Sequence, residues 1–433
     1  MNKKILNLAV PNIISNITVP FLGLVDLTLL GHLNSEIYIG AIAVGTIIFN
    51  IIYWGFSFLR MGTSGFTAQA IGKKNFEEIS LIFSRAMLIA FLGSLLLIVL
   101  QKPIALISFS ILNASPEVET LASEYFYIRI WAAPATIGLY VLYGWFIGMQ
   151  NAKSPMIIAI LVNLLNIIFD VIFINVFDMK SSGAALGTVL AQYIGFGSGL
   201  FIFFKYYFKK LKPYLIIKKI FVLKDIKKFL NVNKDIFIRT MCLLFVLSFF
   251  TAESAKNGNL ILAVNTLLLQ FFTLYSYLID GFAYAGEALV GKYTGARNTF
   301  QLKKVIKLLF IWGASISLIF TLAYIFGGNI ILHILTNNEA VIQQSTKYIF
   351  WIGMIPFITF AAFLWDGIYI GAIASTYLRN SMIIASFLIF LPLYYLLKTS
   401  LGNNSLWFAF IMFMFFRGFL LSIFAKKAIF KPL

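Results

Sequence analysis

Two stretches decide the architecture: GTSGFTAQAIGKK at 62–74 and GFAYAGEALVGKY at 281–293. Aligned at an offset of 219, Gly62 falls on Gly281 and Gly72 on Gly291. The match continues outward. SPEVETLASEYFYIRIWAAP (115–134) pairs with NEAVIQQSTKYIFWIGMIP (338–356) at 222, with Pro134 over Pro356, and GWFIG (144–148) pairs with GIYIG (367–371) at 223. The drift is small and monotonic, as loop insertions would produce. The chain is therefore read as two similar halves.

Composition says what the halves are made of. Of 433 residues, 61% are apolar and 12% charged, and the mean hydropathy is +0.92. Soluble globular chains run about 45–50% apolar and about 25% charged. One bilayer crossing takes about 20 apolar residues, so roughly a dozen crossings account for the apolar content. Apolar runs and their polar breaks predict twelve transmembrane helices over 5–30, 38–70, 80–108, 119–148, 155–176, 183–208, 234–255, 259–290, 303–332, 340–370, 379–399 and 404–425. The expected fold is an all-α polytopic membrane protein with two pseudo-symmetric six-helix bundles. Residues 1–208 form the first bundle, 209–233 a basic cytoplasmic linker and 234–433 the second bundle. The arithmetic excludes a sizeable soluble catalytic domain, disorder and a disulfide scaffold. With Cys242 the single cysteine and His32 and His333 the two histidines, no constellation for zinc, haem or iron–sulfur exists, so neither metal nor cofactor is expected.

A net charge of +18 would suggest nucleic acid in a soluble protein, but the positions of the charges point elsewhere. Both termini and the even-numbered connections carry the cations, such as Lys3, Lys73, Lys153, Lys292, Arg379 and Lys426. The odd-numbered connections carry Glu36, Glu117, Asp178 and Glu339 with few cations. The positive-inside rule then puts both termini in the cytoplasm of a multi-pass cell (inner) membrane protein. Anionic lipid contact follows as a by-product, and no nucleic acid partner is expected. The segment 205–234 holds ten lysines against Asp225 and reads as an amphipathic linker on the cytoplasmic leaflet. Six spans per half is an even number, so the halves share one orientation about an axis along the membrane normal. That is a transporter's plan, with binding near the midplane and one half rocking against the other.

Ionisable residues inside spans mark the chemistry, because each costs at least ~2.5–3.5 kcal/mol at the bilayer centre. Asp26 lies in the first span and Asp170 in the fifth. Asn163, Asn166 and Asp170 fall at i, i+3 and i+7, on one helical face. Desolvation disfavours the charged form of a carboxyl, so a carboxyl pair in an alternately opening cavity suits a proton-driven antiporter. The competing reading is a pair of helix-packing carboxyls satisfied by hydroxyls and amides. The second half has its own acids, Asp280, Glu287 and Asp366. Asp280 and Glu287 share a face of the eighth span. They form either a second coupling or substrate site, or salt bridges with Arg60, Arg239 or Arg417. Pro11 and Pro20 lie in the same span as Asp26, where a proline frees a carbonyl and kinks a helix.

Two motifs carry no chemistry. GEALVGK (286–292) has phosphate-loop spacing, but Tyr293 stands where Ser or Thr belongs and no strand precedes it. GWFIG and GIYIG are G-x-x-x-G segments and read as close helix packing. A membrane enzyme is excluded by the lack of any nucleophile–base or metal constellation.

VDLTLLGHL (25–33), FLRMGTSGFTAQAIG (58–72), GMQNAKSP (148–155), NLLNIIFD (163–170), GAALGTVLAQY (183–193) and DGFAYAGEALVG (280–291) resemble the multidrug and toxic compound extrusion (MATE) family, most of all its DNA-damage-inducible F branch. That resemblance implies two six-helix bundles around a V-shaped cavity and efflux driven by H⁺ or Na⁺. It implies cation coupling at Asp26, Asn166, Asp170 and Thr188, and a helix-bending role for Pro11. Thr188 is supplied by the resemblance alone. Ile147 and Asn151 depart from the arginine and aspartate many members carry there.

The expected function is a secondary active exporter, an H⁺ antiporter for amphipathic or cationic drugs and toxic small molecules, acting as a monomer. The alternative is a lipid-linked precursor flippase, which would need a strongly basic cavity. The intramembrane cations Arg60, Arg129, Arg239 and Arg417 are outnumbered by carboxyls.

Overall fold

The computed structural model describes residues 1–31, 36–112 and 114–430; the side chains of Val19, residues 21–31 and Glu36 lie outside that description. Among the described residues the secondary structure is entirely helical. Twelve long helices follow in order: α1 (Asn2–Gly31), α2 (Ile37–Gly72), α3 (Phe76–Val99), α4 (Pro116–Gly148), α5 (Lys153–Val176), α6 (Lys180–Tyr214), α7 (Leu223–Lys256), α8 (Asn259–Gly295), α9 (Thr299–Leu335), α10 (Ile349–Gly371), α11 (Ser375–Leu401) and α12 (Asn403–Phe430). Among the described residues α2–α12 are long and apolar enough to cross a membrane, and the 30-residue α1 completes the twelve. This is the expected all-α polytopic membrane fold.

Two expected spans are broken. The 80–108 span stops at Val99, and Gln101–Leu112 forms a separate helix with Pro103 in its first turn, where a missing N–H costs nothing. The 340–370 span divides into Glu339–Thr346 and α10.

Two compact units form, Met1–Ile13 with Leu230–Leu433, and Ile14–Phe229. The sequence division assigned residues 1–13 to the first bundle; α1 instead changes unit between Ile13 and Ile14. Pro11 lies just before that point. It has no N–H to give, and the next residue's side chain turns back on the helix, Asn12 Nδ2 donating to the Leu8 carbonyl at 2.8 Å.

Each unit carries the repeat, and its backbone sets the register. Asn75 caps α3 by accepting the Glu78 N–H, and Asn298 caps α9 by accepting the Gln301 N–H, each at 3.0 Å. The residue before each cap is left-handed, Lys74 at φ 56 and Arg297 at φ 52. Gln150 at φ 64 and Ile373 at φ 56 form a further equivalent pair. Gly144 meets the Arg60 backbone, where a Cβ would lie 2.9 Å from the carbonyl carbon; at Gly367 a Cβ would lie 2.6 Å from that of Ala283. All these pairs are 223 residues apart. The offset of 219 for the 62–74 stretch is therefore one helical turn short. Gly72 corresponds to Gly295, and the counterparts of Asp280 and Glu287 are Ser57 and Ser64. Small residues recur at near-turn spacing on these helices, so a slip of one turn keeps glycine on glycine. The packing role expected of GWFIG and GIYIG is what the backbone contacts of Gly144 and Gly367 perform.

The expected 209–233 linker is mostly helix, since α6 runs to Tyr214, Ile217–Ile220 form a short helix and α7 already begins at Leu223. It is also docked. Buried Arg85 on α3 donates to the carbonyls of Ile220 (3.2 Å) and Lys219 (2.6 Å) and pairs with Asp225 at 2.9 Å. Lys219 reaches Glu77 at 2.6 Å.

Candidate functional site

In the unit Ile14–Phe229, helices α2, α4, α5 and α6 enclose a cavity of about 140 Å³. Each helix supplies residues one turn apart: Ile42 and Thr46 from α2, Tyr125 and Arg129 from α4, Asn166, Asp170 and Ile174 from α5, and Ala184, Thr188 and Gln192 from α6. An i, i+4 stripe is what one helix presents to a narrow space. Three of the residues proposed from the sequence, Asn166, Asp170 and Thr188, thus meet in one place.

Asp170 is 3% exposed and Asn166 5% exposed. Asn166 Nδ2 donates to Asp170 Oδ2 at 2.9 Å. The Thr188 hydroxyl donates to the Ala184 carbonyl at 2.9 Å, so toward the cavity it offers lone pairs only. Gly187, on α6 beside Thr188, touches the acid directly, and a Cβ there would collide with Asp170 Oδ1. Immediately beyond Asp170, Val171–Val176 widen into i→i+5 turns, with Phe177 N–H bonded to the Ile172 carbonyl at 3.1 Å. Such widened turns are frequent at functional sites.

Among the described lining residues the cation is Arg129. Its Nη1 donates to the Tyr125 hydroxyl, and its guanidinium lies 5.1 Å from the Phe49 ring centroid and 5.3 Å from that of Tyr125. Gln192, Tyr125 and Thr46 did not stand out in the sequence. Their signal is the one-turn spacing from Thr188, Arg129 and Ile42.

The other proposed residues lie elsewhere. Asn163, expected on the face of Asn166 and Asp170, does not line the cavity; its Nδ2 donates to Thr18 Oγ1 on α1 at 2.8 Å. Three residues back from Asn166, it is rotated away toward the neighbouring helix. Asp26 lies on α1, and its side chain is outside the described residues. Pro11 is buried on α1, and Arg60 is half-buried on α2.

In the other unit, Asp366 on α10 receives both Arg239 of α7 and Arg417 of α12 on the same oxygen, Oδ2. All three are at least nine-tenths buried, and Arg417 also lies over the Phe363 ring at 5.8 Å. Asp280 is half-buried and Glu287 fully buried on α8. Arg239 and Arg417, weighed above as partners of Asp280 and Glu287, are salt-bridged to Asp366. Glu253 accepts Lys256 (2.6 Å), Tyr394 (2.6 Å) and Lys398 (3.1 Å) at the end of α7.

A family model described as MatE matches residues 11–172 and 236–396, one match in each half. The chain is 35% identical to DNA damage-inducible protein F of Escherichia coli (strain K12) over 430 residues, 96% of this chain and 90% of that protein. It is 25% identical over 370 residues to a probable multidrug resistance protein NorM of Thermotoga maritima, covering 82% of this chain and 77% of that one. Among solved structures, an outward-facing multidrug resistance MATE family transporter superposes at a TM-score of 0.90, with 18% identity and coverage of 99% and 96% of the two chains. A Vibrio cholerae MATE transporter in the bent form gives 0.87 at 17% identity, covering 99% and 97%.

Proposed function

The chain belongs to the MatE family of multidrug efflux transporters, and on that premise we propose that it is a proton-coupled antiporter exporting amphipathic, often cationic, small molecules. It works as a monomer in the cell (inner) membrane with both termini in the cytoplasm. The observation that carries this reading is the cavity in which Asp170, 3% exposed, sits among Asn166, Thr188 and Gln192. A carboxyl buried there at a cost of several kcal/mol needs a use.

Protonation and substrate binding compete in this account. Asp170 takes a proton from the outer side, which cancels its charge and releases the exported cation. It returns the proton to the cytoplasm when the cavity opens inward, and the ionised carboxylate then favours the next cation. Asn166 holds the ionised carboxylate in place, and Thr188 contributes an acceptor. Asp26, on the same span as Pro11, is the second coupling carboxylate. Pro11 is the pivot about which α1 bends as coupling proceeds.

Uptake of a fluorescent lipophilic cation into everted vesicles, with a pH gradient and a Na⁺ gradient imposed separately, tests the proposal. The expected result is accumulation that follows the pH gradient and falls at least about tenfold in Asp170→Asn, a loss of ~1.4 kcal/mol or more. Transport that is unchanged in the variant contradicts it.

A further inference from the structure

We propose that the elbow joining α6 to α7 is a preformed binding surface for anionic phospholipid, and that Arg85 holds it in that form.

The elbow, residues 215–222, lies between two helices long and apolar enough to cross a membrane, Lys180–Tyr214 and Leu223–Lys256. It is fixed to α2 and α3 at three points. Tyr214 stacks on Phe76 with 5.7 Å between ring centroids, and the Phe229 ring lies 5.4 Å from that of Phe66. Between them stands buried Arg85. It donates to the carbonyls of Lys219 and Ile220, which end a short helix, and to the Asp225 carboxylate in the first turn of α7. The planar fork of a guanidinium can hold all three acceptors at once.

The position of Arg85 on α3 sets the depth of the elbow. The helix begins at Phe76, so Arg85 lies about 13 Å along it. From Ala86 to Val99 the helix carries no charge, which makes Arg85 the boundary of the apolar span. The elbow is thereby folded back onto the edge of the membrane.

What it presents there is basic and apolar together. All ten lysines of 205–234 are exposed. Among the described residues Lys219 alone of the ten meets a carboxylate, that of Glu77, and the segment's own acid, Asp225, is taken by Arg85. Beside the lysines Leu223 is 82% exposed, Ile217 67% and Phe221 60%. Lysines alone would suit water or a nucleic acid. Large apolar side chains held out at the membrane edge suit neither. They suit the boundary between headgroups and acyl chains, with the ammonium groups on lipid phosphates. Each lysine so placed is worth about fivefold in binding to an anionic leaflet.

The test uses the full-length protein in micelles of neutral detergent. Fluorescently labelled phosphatidylglycerol is the probe, labelled phosphatidylcholine the uncharged comparison, and anisotropy the readout. The wild type is expected to prefer phosphatidylglycerol by about tenfold or more. Lys218→Gln, Lys224→Gln and Lys227→Gln together should reduce that preference to about twofold or less, and arginine at the same three positions should keep it. Lys303→Gln, Lys304→Gln and Lys307→Gln, an equal set of exposed lysines on α9, should leave it unchanged. Arg85→Gln should weaken the preference severalfold and add nothing once the three elbow lysines are gone, because it acts through them. Arg85→Lys keeps the charge without the fork; it should behave as the Gln variant and stands in for it if that variant does not fold. A wild type without the preference, or an equal loss from the α9 set, overturns the surface. Capture of a labelled DNA duplex in place of phosphatidylglycerol overturns the lipid as its occupant. An undiminished preference in folded Arg85 variants, or a further loss on adding them to the lysine set, overturns the role of Arg85.

Discussion

Asn166 Nδ2 and Asp170 Oδ2 are hydrogen-bonded at 2.9 Å across one turn of α5, both less than a tenth exposed. A hydrogen bond to a charged group is worth ~1.5–3 kcal/mol, and Asn166 is the donor to this carboxyl. Asn166→Ala is therefore expected to slow proton-driven export roughly ten- to hundredfold, read as initial rates in everted vesicles. Rates within twofold of wild type would show that the amide has no part in coupling.

Gly187 presses on Asp170 from α6, and an added Cβ would also come within 3.3 Å of the Asp170 backbone nitrogen. Gly187→Ala must displace the carboxylate, so export should be lost although the protein is still made and inserted. At Gly197, on the same helix, a Cβ would meet nothing within 4 Å, and Gly197→Ala should be neutral or stabilising by up to ~1 kcal/mol. Equal transport by the two variants would place Asp170 outside the mechanism.

Asp366 balances two buried guanidiniums at once, those of Arg239 and Arg417. Asp366→Asn strands both charges, and the expected loss is ~3–5 kcal/mol, seen as a lower melting temperature in detergent. The Lys219–Glu77 pair, 50% and 36% exposed, is a contrasting case, and Glu77→Gln should cost under ~1 kcal/mol. A melting temperature unmoved by Asp366→Asn would mean the cluster is wet and not structural.

Much of this was legible in the chain itself. All twelve long helices were expected, because apolar length is what a bilayer demands of a sequence. Asp170 and Asn166 stood out for the same reason, as polar groups where lipid allows few. Thr188 came only from family resemblance, since a threonine in a membrane helix more often satisfies its own backbone, and this one does bond to Ala184. Gln192, Tyr125 and Thr46 were missed because facing a common cavity depends on how α2, α4 and α6 are rotated. No single helix carries that information. The repeat was visible but one turn out of register at 62–74, where the capped turns at Asn75 and Asn298 show the offset of 223.

Pro11 lies two residues before the point at which α1 passes from one compact unit to the other. A helix without this proline should retain the fold and lose the weak point at which it is proposed to bend. Pro11→Ala is expected to leave the melting temperature nearly unchanged while slowing export severalfold, with Pro20→Ala, which sits inside the second unit, as the comparison. If the two variants transport alike at wild-type rates, the pivot assigned to Pro11 is wrong.

The most direct test of the account is proton release on substrate binding. A lipophilic cation added to weakly buffered, detergent-solubilised protein should expel protons, and this should be strongly reduced in Asp170→Asn at matched substrate occupancy. Undiminished release from the variant, or none from wild type at saturating substrate, would contradict exchange of proton for substrate at Asp170.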